Sequence, residues 1–166
     1  MDTPITVNIV KNVEGLSKWT SETTPQERLA ILERAKVIAR SAHQGQTRQY
    51  SGLPYVTHLE RVANNVKHLN QKVVAWLHDI IEDTSVTSSD LITLGIPSEL
   101  VDEVLILTRR VGESYFTFIM RIVKDGIGIA PIVKIADLSD NLSDGIQDSS
   151  RADKYRLARY ILEKGL

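Results

Sequence analysis

The stretch Val73–Thr84, VVAWLHDIIEDT, constrains the fold more than any other part of the chain. Val73, Val74, Ala75, Trp76, Leu77, Ile80 and Ile81 make a helix here apolar almost all round, so it belongs in the middle of a domain. Into that surface are set His78, Asp79, Glu82 and Asp83. Buried charge is costly unless it is paired or bound to a metal, which marks the run as a candidate functional site. On a continuous helix His78 and Glu82 share a face, and Asp79 and Asp83 share another about 100° further round. Adjacent His78 and Asp79 then reach one cation from the same edge, with Glu82 and Asp83 about one turn along, towards the substrate. An imidazole nitrogen with a carboxylate oxygen suits a borderline or hard divalent metal. Without a metal, the same residues read as a histidine capped by its neighbouring carboxylates.

A helix this apolar needs a real core, and 166 residues supply one domain's worth. The composition is 42% hydrophobic and 25% charged with net charge −1, so no basic excess points to nucleic acid. There is no cysteine, which excludes disulfides and thiolate ligands. No apolar run is long enough to span a bilayer. The N-terminus lacks the basic region and long apolar segment of a secretory signal. The expectation is a cytoplasmic protein with a small-molecule substrate and neither nucleic acid nor membrane as partner.

Helical signals follow in order. Residues 1–23 read as an extension, with Ile5, Val7 and Ile9 alternating like a short strand, and residues 24–166 as the domain. Thr24-Pro25-Gln26-Glu27 has the cap, the first-turn proline and the capping-box glutamate of a helix start. An apolar stripe at Leu29, Leu32, Ala35 and Ile38 or Ala39 carries that helix to about Ala42. A long loop from His43 to Tyr55 holds Gln46, Arg48 and Tyr50, punctuated by Gly45, Gly52 and Pro54, and long loops are often functional. His43 either lines the site or ends its helix as a histidine suited to the C-terminal dipole. A second helix runs from about Tyr55 to Leu69, with His58 in its first turn. After Thr84, a short helix ends at Gly95 and another opens at Pro97. Thr108–Glu113 is a polar loop carrying Arg109 and Arg110. Ser114 caps a helix whose stripe is Phe116, Ile119, Met120 and Val123. Gly128–Asn141 is a second central segment, with Lys134, Asp137, Asp140 and Asn141 as its polar exceptions. Arg151–Lys164 is a final amphipathic helix. The chain reads as all-α.

Four segments, AHQGQTR at 42–48, SGLPYVTHLERVA at 51–63, AWLHDIIEDT at 75–84 and IVKIADLSDN at 132–141, together resemble the HD-domain hydrolases of the RelA/SpoT alarmone family. The small stand-alone alarmone hydrolases are the nearest in kind. The resemblance covers roughly Arg34 to Asn141 in order and spacing, and it implies a compact all-α HD-domain bundle. It further implies a divalent metal, manganese in the family, held by His58, His78, Asp79 and Asp137, with Glu82 and Asp83 as the catalytic acidic pair. Arg48 matches a residue that packs against the nucleotide base, and Lys134 and Asn141 match residues lining the pocket. The family's substrate is guanosine tetra- or pentaphosphate, cut at the 3′ diphosphate to release pyrophosphate by attack of a metal-activated water. Two departures stand out. Gln49 and Tyr50 follow Arg48 where the family has a second basic residue, in a loop one residue longer. Leu138 follows Asp137 where the family has Arg or Lys. Both remove positive charge near an anionic substrate. Two other readings stay open on the residues: an HD phosphohydrolase of another nucleotide, such as a nucleoside monophosphate, and a metal-stabilised binding module without turnover.

Overall fold

Thr24 starts the first helix as its sequence requires. Its hydroxyl accepts the Glu27 N–H at 3.3 Å, and the Glu27 carboxylate takes the Thr24 N–H at 2.7 Å. In the computed structural model, which describes residues 19–126, 128–146 and 148–165, the elements that follow are α1 (Pro25–Ala42), α2 (Tyr55–Asn64), α3 (Leu69–Leu77), α4 (Ile80–Asp83), α5 (Ser88–Thr93), α6 (Ser98–Leu107), α7 (Tyr115–Asp125), α8 (Ala130–Ser143) and α9 (Ser149–Gly165). Among the described residues the only β-type pairing is one isolated bridge between Thr47 and Pro54, so the all-α expectation holds. The strand-like alternation at Ile5, Val7 and Ile9 lies outside the described residues. No described helix is long and apolar enough to cross a membrane.

Helix α3 occupies the centre and packs against α1, α2, α6 and α8. Val73, Val74, Ala75, Trp76 and Leu77 are all buried, as an apolar run without a polar face requires. Each large side chain buried in this way stabilises the fold by roughly 1.5–3 kcal/mol. Trp76 is part of this core, with the Arg40 guanidinium 5.1 Å from its ring. The second central segment is α8, which packs against α2, α3, α6, α7 and α9. Gly95 ends α5 with φ +82°, a conformation that favours a residue without a Cβ.

Two boundaries and one buried face differ from the sequence reading. The second helix stops at Asn64, because Leu69 opens α3 instead: the Gln71 side chain accepts the main-chain N–H groups of Lys67 and His68 at 3.1 and 3.0 Å and so closes a new helix start. The Val73–Thr84 helix is not continuous. It breaks at His78–Asp79, and Asp79, with φ −101° and ψ −3°, opens the four-residue α4. On α7 the buried face is Phe118, Ile119 and Ile122, whereas Phe116 and Met120 are exposed. The stripe is rotated because α7 packs against α6, α8 and α9, and Phe118 is the aromatic that meets them.

Candidate metal centre and active site

The break at His78–Asp79 turns two adjacent side chains towards one point. There they meet His58 from the first turn of α2 and Asp137 from α8. One donor atom from each of the four residues lies within 4.8 Å of the other three. His58 Nε2 is 3.2 Å from Asp137 Oδ1 and 3.6 Å from Asp79 Oδ2. His78 Nε2 is 3.0 Å from Asp79 Oδ2 and 3.6 Å from Asp137 Oδ1.

The outer contacts fix the tautomers. His58 Nδ1 is 2.7 Å from Asp140 Oδ2, and His78 Nδ1 is 2.7 Å from the Ala75 carbonyl. Both acceptors require an Nδ1–H, which leaves a lone pair on each Nε2 pointing into the cluster. Both Nε2 atoms are buried and make no hydrogen bond, so their close approaches to the carboxylates are ion-pair contacts without hydrogen-bond alignment. Two orphaned imidazole nitrogens facing two carboxylates are the donor set of a divalent cation. Partners behind a ligand are how metal sites aim a histidine. Asp140 provides that support here, and is itself held by Arg61 Nε at 2.5 Å.

The electrostatics agree. Burial disfavours the charged form of both imidazoles, yet the surrounding carboxylates pull His58 up to about 9 and His78 up to about 10, so without a cation a proton takes each Nε2 lone pair and a bound cation displaces it. Burial works against ionising Asp137 as well, but Lys134 and the two histidines hold its carboxyl well below the usual range. The His78 ring does the same for Asp79. The cluster is a hole that demands positive charge.

Asp79 and Asp137 open onto a cavity of about 400 Å³. Its walls carry Arg48, Arg109, Lys134, Arg151 and Lys154, together with Tyr115 and Tyr155. Lys134 Nζ is 2.8 Å from Asp137 Oδ2. Asn141 donates to Asp137 Oδ1 at 2.6 Å and accepts from Arg48 at 2.6 Å, so it links the four-residue cluster to the loop arginine. Arg48 also reaches Asp144 at 3.3 Å and lies 5.6 Å above the Tyr55 ring. Glu82 lines the cavity and accepts the Arg109 N–H at 3.0 Å. Asp83 accepts from the Tyr55 hydroxyl at 3.2 Å; its carboxyl is raised by the protein packed about it and by Asp79.

The sequence candidates therefore divide. His58, His78, Asp79 and Asp137 converge on one point, and Arg48, Lys134, Asn141 and Glu82 line the cavity beside it. His43 does not reach that cavity: it is 1% exposed and stacks behind Tyr55, with ring centroids 4.9 Å apart. The sequence reading assigns no site role to Arg151, Lys154 and Tyr155, and for Arg109 it favours a polar inter-helix loop over a phosphate contact. The helical spacing of Arg151, Lys154 and Tyr155 hints at a shared face, but nothing local says that this face meets the loop after α1. Arg151 does meet that loop: it donates to Gln49 Oε1 at 3.1 Å and lies 5.8 Å from the Tyr50 ring. The positive charge missing from the loop is thus supplied to the same cavity by α9.

Comparison with known proteins gives a consistent result. No family model matches the chain. The chain is 34% identical over 165 aligned residues to the bifunctional (p)ppGpp synthase/hydrolase SpoT of Escherichia coli, covering 90% of this chain and 23% of that protein. It is 35% identical over 144 residues to the guanosine-3′,5′-bis(diphosphate) 3′-pyrophosphohydrolase of Haemophilus influenzae, covering 76% of this chain and 20% of the relative. The chain therefore spans less than a quarter of the length of these curated relatives. Its fold is similar to the solved structure of a metazoan ortholog of SpoT that hydrolyzes ppGpp, with TM-score 0.66 and 22% identity over 82% of this chain and 85% of that one.

Proposed function

We propose that this chain, which belongs to the RelA/SpoT family by sequence and fold, is a divalent-metal phosphohydrolase that removes pyrophosphate from the 3′ position of guanosine 3′,5′-bis(diphosphate). The observation that carries the reading is the pair of buried, unpartnered Nε2 atoms on His58 and His78. They face Asp79 and Asp137 at one end of a cavity with five cationic side chains on its walls. Manganese is the ion we assign to the site, by the resemblance and by the nitrogen and oxygen donor set.

A bound divalent cation supplies Lewis-acid polarisation of a phosphoryl oxygen and a lowered pKa for the attacking water. The chain's own residues do the rest. Glu82 and Asp83, just beyond the ligands, orient the water and take its proton as oxygen bonds to the 3′-linked phosphorus. The bond from that phosphorus to the ribose 3′ oxygen breaks, the 3′ hydroxyl gains a proton, and pyrophosphate leaves. Lys134, beside Asp137, faces the phosphate nearest the ligands. Arg48 packs on the base. Arg109, Arg151 and Lys154 neutralise the remaining diphosphate, which makes the departures at Gln49, Tyr50 and Leu138 compatible with a highly anionic substrate.

The test is a nucleotide panel assayed with manganese, resolved product by product and including nucleoside monophosphates. The expected result is turnover of the tetraphosphate with pyrophosphate as product. Turnover of a monophosphate alone would move the reading to another HD phosphohydrolase, and none at all would favour a binding module.

A further inference from the structure

His43 is buried and lies off the cavity wall, yet specific partners hold it. Gln46 donates its Nε2–H to the Asp83 main-chain carbonyl at 3.0 Å. That contact orients the amide, so Gln46 Oε1 faces His43 Nδ1 at 2.8 Å and accepts its proton. The His43 ring stacks on Tyr55 with 14° between the planes. The single Tyr55 O–H is shared between Asp79 Oδ2 at 2.5 Å, the shorter contact, and Asp83 Oδ2 at 3.2 Å. These contacts form a closed circuit that starts and ends on Asp83, gripping its main chain through Gln46 and its side chain through Tyr55. The Tyr55 ring is fixed on its other sides by the His58 edge at 5.5 Å and the Arg48 guanidinium at 5.6 Å.

We infer that His43, Gln46 and Tyr55 are a positioning clamp that sets the Asp83 carboxylate at a fixed distance from Asp79. Helix α4 has four residues, a single turn, and Asp83 is exposed at its end, so the short helix does not hold this side chain by itself. Glu82 has separate support from the Arg109 N–H. The two acidic neighbours are therefore held by different segments: Gln46 of the α1–α2 loop and Tyr55 at the start of α2 act on Asp83, and the loop after α6 acts on Glu82. The functional part of this inference rests on Asp83 being a proton-handling group, as proposed above. Aim matters at this point because a misplacement of about 1 Å in a reacting group costs on the order of 10²-fold in rate.

Two measurements test the clamp. The first needs no turnover: the carboxyl ¹³C resonances of Asp83 and Glu82, recorded with diamagnetic magnesium and assigned with Asp83→Asn and Glu82→Gln. Tyr55→Phe, which removes only the hydroxyl, and Gln46→Ala should each move the Asp83 resonance and leave that of Glu82 in place. The second is kinetic. With each variant kept saturated with metal, Tyr55→Phe should lower kcat by on the order of 10–10²-fold with KM within about twofold, and should cause no further loss in an Asp83→Asn background. An unmoved Asp83 resonance in both variants, or a full multiplicative loss in the double variant, overturns the clamp. If the wild-type protein turns over no nucleotide, the hydrolase reading fails, and the resonances alone decide whether the clamp exists.

Discussion

At the scale of single residues, the proposed site divides into groups that would hold a cation and groups that would act beside it. Glu82→Gln and Asp83→Asn should each lower kcat by roughly 10²–10⁴-fold while metal content and nucleotide binding persist, because the amides keep the shape but accept no proton. Steady-state kinetics with metal analysis of each variant checks this, and near-normal kcat in both would remove their assigned role. Asp140→Asn should weaken metal binding by roughly 10–100-fold without touching the ion, since Asp140 holds His58 Nδ1 at 2.7 Å. A competition titration with a chelator of known affinity reads that loss. Arg48→Ala should raise KM more than it lowers kcat. His78 and Asp79 were the most legible part of the sequence, because charge on an apolar helix has few explanations; His58 and Asp137 joined them only through the family resemblance. Asp140 was legible only as a polar exception: it lies three residues from Asp137, and nothing in that spacing says that His58 is what it meets.

At the scale of elements, the break between α3 and α4 is what assembles the site, and the sequence conceals it. VVAWLHDIIEDT contains no glycine or proline, the residues that usually announce a helix break. The break is a tertiary effect, made where His78 and Asp79 turn to meet α2 and α8. Helix starts with local chemistry, such as Thr24 and Ser114, were readable because their caps are satisfied within three residues. The division between ligand and acid–base residues predicts an order of stabilities. With saturating manganese, Asp79→Ala should melt at a lower temperature than Glu82→Ala, since of the two only Asp79 belongs to the cluster that would join α2, α8 and the α3–α4 break through the cation. Saturation at 100 times the dissociation constant stabilises by about 2.7 kcal/mol. For a domain of this size that is a difference of roughly 5–10 °C in Tm. Equal or reversed losses would contradict the division.

At the scale of the whole molecule, distant segments complete one cavity: the loop after α1, the end of α4, the loop after α6, and helices α7, α8 and α9. The contribution of α9 was not legible, because which face of a terminal helix meets a loop about a hundred residues earlier depends on packing alone. It gives a clear expectation: Arg151→Ala should raise KM roughly tenfold with kcat little changed, the loss of one charge-assisted contact. An unchanged KM would remove α9 from the binding surface. The central claim is that the four-residue cluster holds a divalent cation and directs water to the 3′ diphosphate. The most direct measurement is anion-exchange analysis of guanosine 3′,5′-bis(diphosphate) incubated with the purified protein, first with chelator, then with manganese restored, and in parallel with Asp137→Asn. The account predicts an intact nucleotide under chelation, equimolar pyrophosphate and guanosine 5′-diphosphate on restoring manganese, and no product from the variant. Product formed equally well without metal, or by Asp137→Asn, would contradict it.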